Sequence, residues 1–252
     1  MRLRGGWFLI LVLTLAACSN PLARQYEYDE QTYLDIDGSA TVVIAASVPA
    51  LVGLRGIALD PAPNSRIDSA IVRDAFEAAG CTVENVTRPW RRAGRRFVQV
   101  RLAVDDLNQA ARCGPLAWSS YSFTRTDEQI VYHQVVGAPA GTPPATVNWR
   151  GDELTVFKLH LPSKVLDHNV RRLSDNQPGT LERGNILSWE QRLTDRFAGR
   201  PIDMRVVTEP QSILYQTMFL FAGAFAAAVV VLITIIWFVI RRGRARLKEL
   251  QR

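Results

Sequence analysis

The sequence has few cysteines and none of the common short motifs of an active site. Three cysteines, 13 prolines and 16 glycines in 252 residues exclude a collagen, a low-complexity linker and a small disulfide-rich domain. The three histidines, His133, His160 and His168, form no closely spaced metal-binding pair. The serine-nucleophile motifs GxSxG and SxxK and the phosphate-binding motifs GxGxxG and Walker A are missing. The sequence therefore predicts neither a catalytic residue, a metal site nor a cofactor.

Long apolar runs are also few, which excludes a polytopic transporter. Residues 213–240 carry no charge and are long enough to form one transmembrane helix. Tyr215 and Trp237 lie near the two ends of this run, where aromatic residues meet the membrane interface. Residues 241–252 contain six basic residues and one acid. They are typical of a cytoplasmic tail that stops transfer.

The positive net charge lies at the two ends of the chain. The formal charge is +6, and the tail together with Arg2 and Arg4 carries the excess. The 22 basic and 23 acidic residues between them nearly cancel. The charge therefore indicates membrane topology, and we expect no nucleic-acid partner.

The N-terminus has the parts of a lipoprotein export signal. Basic residues come first, and an apolar run at residues 7–17 follows that is too short to span a bilayer. The run ends in the lipobox-like sequence LAAC at residues 15–18. This predicts a signal peptide at residues 1–17, lipidation with palmitate on Cys18 and a tether at residues 18–32. Within the tether, residues 26–30 are a candidate for the start of strand pairing. An ordinary signal peptide with an incidental cysteine, or an uncleaved helix, is the alternative.

Both ends agree on one orientation. Export places residues 19–212 outside the cytoplasm, and the basic tail stays inside. The sequence therefore predicts a single-pass protein of the cytoplasmic (inner) membrane.

Residues 33–210 predict one exported α+β domain with a largely antiparallel sheet. Apolar residues at three- and four-residue spacing predict one main amphipathic helix from Ser65 to Ala79, with Asp68 in a capping box and Gly80 as the stop. Short helices are expected at residues 50–58 and 105–111. Strands are expected at residues 33–48, 81–90, 97–104, 118–125, 129–136, 154–161, 185–191 and 202–209.

Cys81 and Cys113 are the two cysteines that remain in the exported domain. In an oxidising compartment an even pair favours a disulfide. Two buried thiols are the alternative.

A cluster of arginines marks the tip of a predicted hairpin. Guanidinium groups beside an aromatic ring favour contact with anionic head groups, and a solvated charged turn that protects a sheet edge is the alternative. The cluster consists of Arg88, Trp90, Arg91, Arg92, Arg95 and Arg96.

The whole plan resembles the LppM-like bacterial envelope lipoproteins, which combine a lipobox, an exported α+β domain and a C-terminal transmembrane helix. The matching segments are LAAC at residues 15–18, LDIDGSATVVI at residues 34–44 and NILSW at residues 185–189. The resemblance implies an envelope lipoprotein whose domain handles lipid or cell-wall glycolipid without catalysis. It assigns no site residue in this chain.

We therefore expect a non-enzymatic, membrane-anchored envelope protein whose domain binds lipid, glycolipid or another envelope component. A scaffold or accessory subunit of an inner-membrane complex is the first alternative. An envelope hydrolase is the second, and it requires a pocket that holds one of the three histidines beside a carboxylate or hydroxyl.

Overall fold

The structure is a computed structural model that describes residues 25–145, 147, 149–174, 176 and 184–250. The predicted signal peptide, Cys18 and the start of the predicted tether lie outside these residues, as do residues 251–252. Strands and helices alternate irregularly along the described chain, as in a mixed α+β fold. The strands are β1 (Tyr26–Leu34), β2 (Ala40–Ser47), β3 (Thr82–Val86), β4 (Trp90–Arg92), β5 (Arg95–Val104), β6 (Ser119–Arg125), β7 (Ile130–Val136), β8 (Leu154–His160), β9 (Ser163–His168), β10 (Ile186–Arg192) and β11 (Ile202–Ser212).

Helices connect or follow these strands. The α-helices are α1 (Val48–Arg55), α2 (Ser69–Ala78), α3 (Leu193–Phe197) and α4 (Ile213–Leu250), and two 3₁₀ helices span Leu107–Arg112 and Gly114–Leu116.

The strands form two sheets. The first has the order β10-β8-β1-β2-β5-β3, with β4 also paired to β5, and the second has the order β6-β7-β11-β9. All strand pairs are antiparallel except β1 with β8. The described chain passes between the two sheets five times, after β5, β7, β8, β9 and β10. The mixed, largely antiparallel α+β fold agrees with the prediction.

The first strand begins earlier than the sequence pattern predicts. Residues 26–32 were predicted to be tether, but this segment pairs with β8 from residue 26 and with β2 from residue 28. The sequence pattern did not predict a full strand here, because charged residues are rarely buried and Glu27 and Glu30 are both buried in this strand. The sheet therefore begins within the predicted tether.

The predicted main helix is shorter than expected. It begins at Ser69 because the Asp68 carboxylate accepts from the backbone N–H groups of Ala70 and Ile71, at 2.9 and 3.0 Å. Ser65 instead donates its hydroxyl to the Asp60 carbonyl. Only Val72 and Phe76 of this helix are buried, so one main amphipathic helix is not confirmed.

The core lies where the inner faces of the sheets pack together with α1 and the 3₁₀ helices. Alternate residues of each central strand point inward. The inward residues of β2, β5 and β7 include Val42, Ile44, Val98, Val100, Leu102, Ile130 and Tyr132.

The first sheet has two distinct ends. At one end, which we call the tip, Ser47 pairs with Phe97 beside the β4–β5 hairpin. At the other end, which we call the base, Ala40 pairs with Leu34 and with Val104. The eight residues of β2 separate tip and base by about 23 Å, at about 3.3 Å per residue step. The helix α4 begins at the base, where the Ile213 N–H donates to the Pro162 carbonyl at 2.9 Å.

Candidate functional site

The base carries the one described helix that is long and apolar enough to cross a membrane. This candidate span is Ile213–Arg242, with 30 residues, and an 18-residue window within it has a mean hydropathy of 2.8. It follows β11 without a linker, since β11 ends at Ser212 and α4 begins at the next residue. The Ser212 hydroxyl accepts from the Leu214 N–H at 3.2 Å and caps the helix. The domain therefore meets the helix through a direct strand-to-helix junction.

A cavity of about 370 Å³ opens at this junction. Its walls come from the base of the domain and from the first two turns of α4. They consist of Ile36, Arg125, Pro210, Gln211, Ser212, Tyr215 and Phe219. Tyr215 and Phe219 are 53% and 71% exposed, so the helix side of the cavity is an open aromatic surface.

Arg125 is the charged residue of the cavity wall. It ends β6, and its guanidinium donates to the carbonyls of Ile36 at 3.1 Å and of Pro210 at 3.5 Å. These contacts join the turn at residues 35–39 to the end of β11. Among the described residues, the contacts of Arg125 use two of the five N–H groups of a guanidinium.

The turn at residues 35–39 places a carboxylate next to Arg125. The Asp37 carboxylate accepts from the Ser39 hydroxyl at 2.7 Å and from the Ser39 N–H at 3.0 Å. These hydrogen bonds, with a smaller contribution from Arg125, lower the pKa of Asp37. The base thus presents a guanidinium and a carboxylate in the same region, since Asp37 follows the residue that Arg125 contacts.

The predicted arginine cluster lies at the tip, at the opposite end of the first sheet. Three of its arginines donate to backbone carbonyls: Arg91 to Pro63, Arg92 to Tyr26 and Arg96 to Ile67. These bonds tie the hairpin to the neighbouring loop and to the start of β1.

The remaining residues of the cluster divide between internal contacts and solvent. Arg95 forms an ion pair with Glu27 at 2.7 Å and lies 3.7 Å from Glu153. Trp90 stacks on Phe97, with ring centroids 5.7 Å apart, and Arg88 is exposed. Most of these arginines have partners within the domain, and head-group contact at the tip stays a prediction.

The structure brings Cys81 and Cys113 together as a disulfide with a Cα–Cα distance of 4.5 Å. The bridge joins the loop after α2 to the end of the first 3₁₀ helix. The Gly114 N–H donates to the Ala79 carbonyl at 2.8 Å beside it. The predicted lipidation site, Cys18, lies outside the described residues.

The three histidines lie on different strands. His133 contacts Asp203 at 2.7 Å, with both side chains largely exposed on the outer face of the second sheet. His160 stacks on Tyr33 in the first sheet, and His168 ends β9. The cavities at the tip, near the disulfide and at the base have no histidine in their walls.

A buried ionic centre lies between the sheets, and the sequence analysis missed it. Arg55 and Glu30 form an ion pair with side chains 0% and 1% exposed. Arg55 also donates to the Tyr28 hydroxyl and to the Pro115 carbonyl. Its guanidinium carbon lies 3.8 Å from the centre of the Trp118 ring, a cation–π contact. Tyr28 and Glu30 lie two residues apart on β1 and therefore point to the same face of the sheet. This spacing was the one sequence signal that could have indicated the buried centre.

A second buried arginine approaches the same indole ring. The guanidinium carbon of Arg196 lies 5.1 Å from the centre of the Trp118 ring. Arg196 donates to the carbonyls of Gly137 and Arg200, and no described carboxylate pairs with it. Burial, and then repulsion from Arg55, lower the pKa of Arg196 to about 10. The centre therefore holds two guanidiniums for one carboxylate.

Buried tyrosines around this centre make the domain sensitive to alkali. Burial raises the pKa of Tyr28, Tyr121 and Tyr132 well above 10. A phenol with a raised folded-state pKa stabilises the fold fully below pH 10, and this stability is lost as the pH rises above 10. We expect a loss of up to about 1.4 kcal/mol per tyrosine for each pH unit above 10. The tyrosinate absorbance of these three residues should then appear together with unfolding, and ionisation of all six tyrosines in the folded protein near pH 10.5 would contradict this.

No protein-family model and no curated protein matches the chain. Among solved structures, the chain is similar to the NMR structure of the folded domain of LppM from Mycobacterium tuberculosis. The two are 11% identical, the match covers 76% of this chain and 94% of that domain, and the TM-score is 0.38. The likeness is weak and concerns the fold alone.

Proposed function

We propose that this protein is a non-enzymatic, membrane-anchored envelope protein whose extracytoplasmic domain binds a lipid or glycolipid at its base. The observation that carries the proposal is the cavity that Arg125 shares with the first two turns of α4. A site built half from the domain and half from a membrane helix is open to molecules of the membrane.

The length of α4 supports a membrane-spanning role with the domain at the interface. The hydrocarbon core needs about 20 helical residues, and the candidate span has 30. At its far end Arg241 lies over the Trp237 ring at 5.1 Å, a pair suited to the interface. Counting about 20 residues back from residue 240 leaves residues 213–220 in the head-group region. Tyr215 and Phe219 then lie at the depth of lipid head groups.

The charge of the chain ends supports the orientation. The basic tail favours the cytoplasmic side of the inner membrane, and the disulfide suits an oxidising compartment for the domain. Lipidation of Cys18 would add a second anchor on the same outer leaflet.

The proposal assigns no catalytic residue. His133 and Asp203 form a histidine–carboxylate pair, and this pair lies on an exposed strand face outside the three cavities above. Chemistry on a lipid or glycan requires a pocket that positions the reacting atoms, which supports binding over hydrolysis.

Lipid retention tests this function. The full chain, extracted from membranes in mild detergent and measured by native mass spectrometry, should carry an added mass of lipid or glycolipid. Retention should decrease when Phe219 is replaced by Ser, because the apolar wall of the cavity is lost, and should persist in the matched F238S variant near the other end of the helix. A bare chain would contradict the proposal, and a bound protein partner in place of lipid would favour the scaffold alternative.

A further inference from the structure

The cavity at the base also indicates which class of lipid it selects. We infer that the cavity takes the head group of a zwitterionic aminophospholipid, an inference that rests on the proposed function. Arg125 would bind the phosphate, and the acidic residues at the base of the domain would surround the ammonium.

Arg125 is suited to a phosphate. A guanidinium presents a planar fork that binds two phosphate oxygens at once. The carbonyls of Ile36 and Pro210 hold the Arg125 fork at the cavity wall. Among the described residues, no ion pair joins Arg125 to a carboxylate. The positive charge of Arg125 is therefore available to a phosphate.

The surface around Arg125 is acidic. Asp35 and Asp37 lie on one turn of the base and Asp127 and Glu128 on the other, and all four are exposed. Lys164 of β9 lies 3.5 Å from Glu209. A lipid with a net negative charge is repelled by this surface, whereas an ammonium group is attracted.

The two charges of such a head group match the geometry of the base. Asp37 directly follows Ile36, whose carbonyl accepts from the Arg125 guanidinium at 3.1 Å. In an aminophospholipid, two carbons separate the phosphate from the ammonium. A phosphate bound to Arg125 would therefore place the ammonium toward Asp37. The lipid tail meets the exposed rings of Tyr215 and Phe219, which lead along α4 into the bilayer.

Competition between lipids tests this inference. The delipidated full chain would be offered equal amounts of phosphatidylethanolamine, phosphatidylcholine and phosphatidylglycerol with the same acyl chains, and the bound lipid would be measured by native mass spectrometry. We expect phosphatidylethanolamine to be retained first and phosphatidylglycerol last. R125Q should lower retention of phosphatidylethanolamine about tenfold. R205Q, at an exposed arginine of β11 outside the cavity, is the matched control and should not change it.

D37N tests the ammonium separately. The asparagine oxygen still accepts from Ser39, so the turn is kept, and the preference for phosphatidylethanolamine over phosphatidylglycerol should decrease. This variant decides the inference even if R125Q unfolds, which thermal unfolding of each variant would show. Equal retention of the three lipids, or an unchanged preference in D37N, would overturn the inference while leaving the proposed function in place. Retention of no lipid would overturn both.

Discussion

Replacing Glu30 with glutamine is expected to lower the free energy of unfolding by about 3–5 kcal/mol. The substitution keeps the shape of the side chain and removes only its charge. Arg55 is 0% exposed and pairs with this carboxylate, so the variant leaves a guanidinium in the core without its counter-charge. An uncompensated buried charge is among the most costly changes a core can undergo.

The second arginine increases this effect. Arg55 and Arg196 approach the same Trp118 ring at 3.8 and 5.1 Å, and Glu30 is the carboxylate that offsets them. In E30Q the two positive charges face each other through one indole. We expect the midpoint of thermal unfolding to decrease by on the order of 10 °C, measured on the full chain in detergent by tryptophan fluorescence.

The matched control is E84Q. Glu84 pairs with Arg101 at 2.7 Å, but the two side chains are 41% and 50% exposed. Solvent screens such a pair, so its loss should cost less than about 1 kcal/mol. Equal effects of E30Q and E84Q would show that the packing around the buried centre, and not its charge, stabilises the fold.

Removing the disulfide is the second large effect we expect. The C81A–C113A double variant should lose about 3–4 kcal/mol, the chain-entropy value for a loop of this size, since the bridge spans a sequence separation of 32. The loop contains β3, β4 and β5, so the freed chain gains conformations over three strands of the first sheet. Urea unfolding of the oxidised parent and the variant measures the difference.

Reduction provides the control for this variant. Dithiothreitol should lower the stability of the parent to that of C81A–C113A and should leave the variant unchanged. Because Cys81 and Cys113 are 7% and 8% exposed, reduction requires denaturant or time. A variant as stable as the oxidised parent would refute the role of the bridge.

Elements with a strong local pattern were predictable. The hairpin at the tip follows from two alternating runs around Ala93-Gly94, and the structure gives Gly94 a φ of +76°, a conformation that glycine adopts without strain. The end of α2 follows from Gly80, whose φ is +82°. In each case the residues that decide the structure are neighbours along the chain.

Elements that depend on distant residues were not predictable. β1 reads as a polar tether because Glu30 is compatible with the core only when Arg55 from α1 meets it. The position of Arg125 at the cavity could not be predicted from its neighbours in sequence, since its partners Ile36 and Pro210 lie 89 and 85 residues away along the chain. A sequence pattern reflects the polarity of residues that are neighbours along the chain. It does not identify the distant residue whose charge offsets a buried one.

By itself, the sequence determined the apolar C-terminal helix with its basic tail, the α+β class and the two cysteines available for a bridge. These features depend on composition and on periodicity over short windows. The tertiary structure alone decided that Arg91, Arg92, Arg95 and Arg96 have partners inside the domain and that Arg125 lies beside the membrane helix. The physical reason is that a charged side chain has the same hydration in the unfolded chain wherever it stands, and only folding assigns its partners and its distance from the membrane.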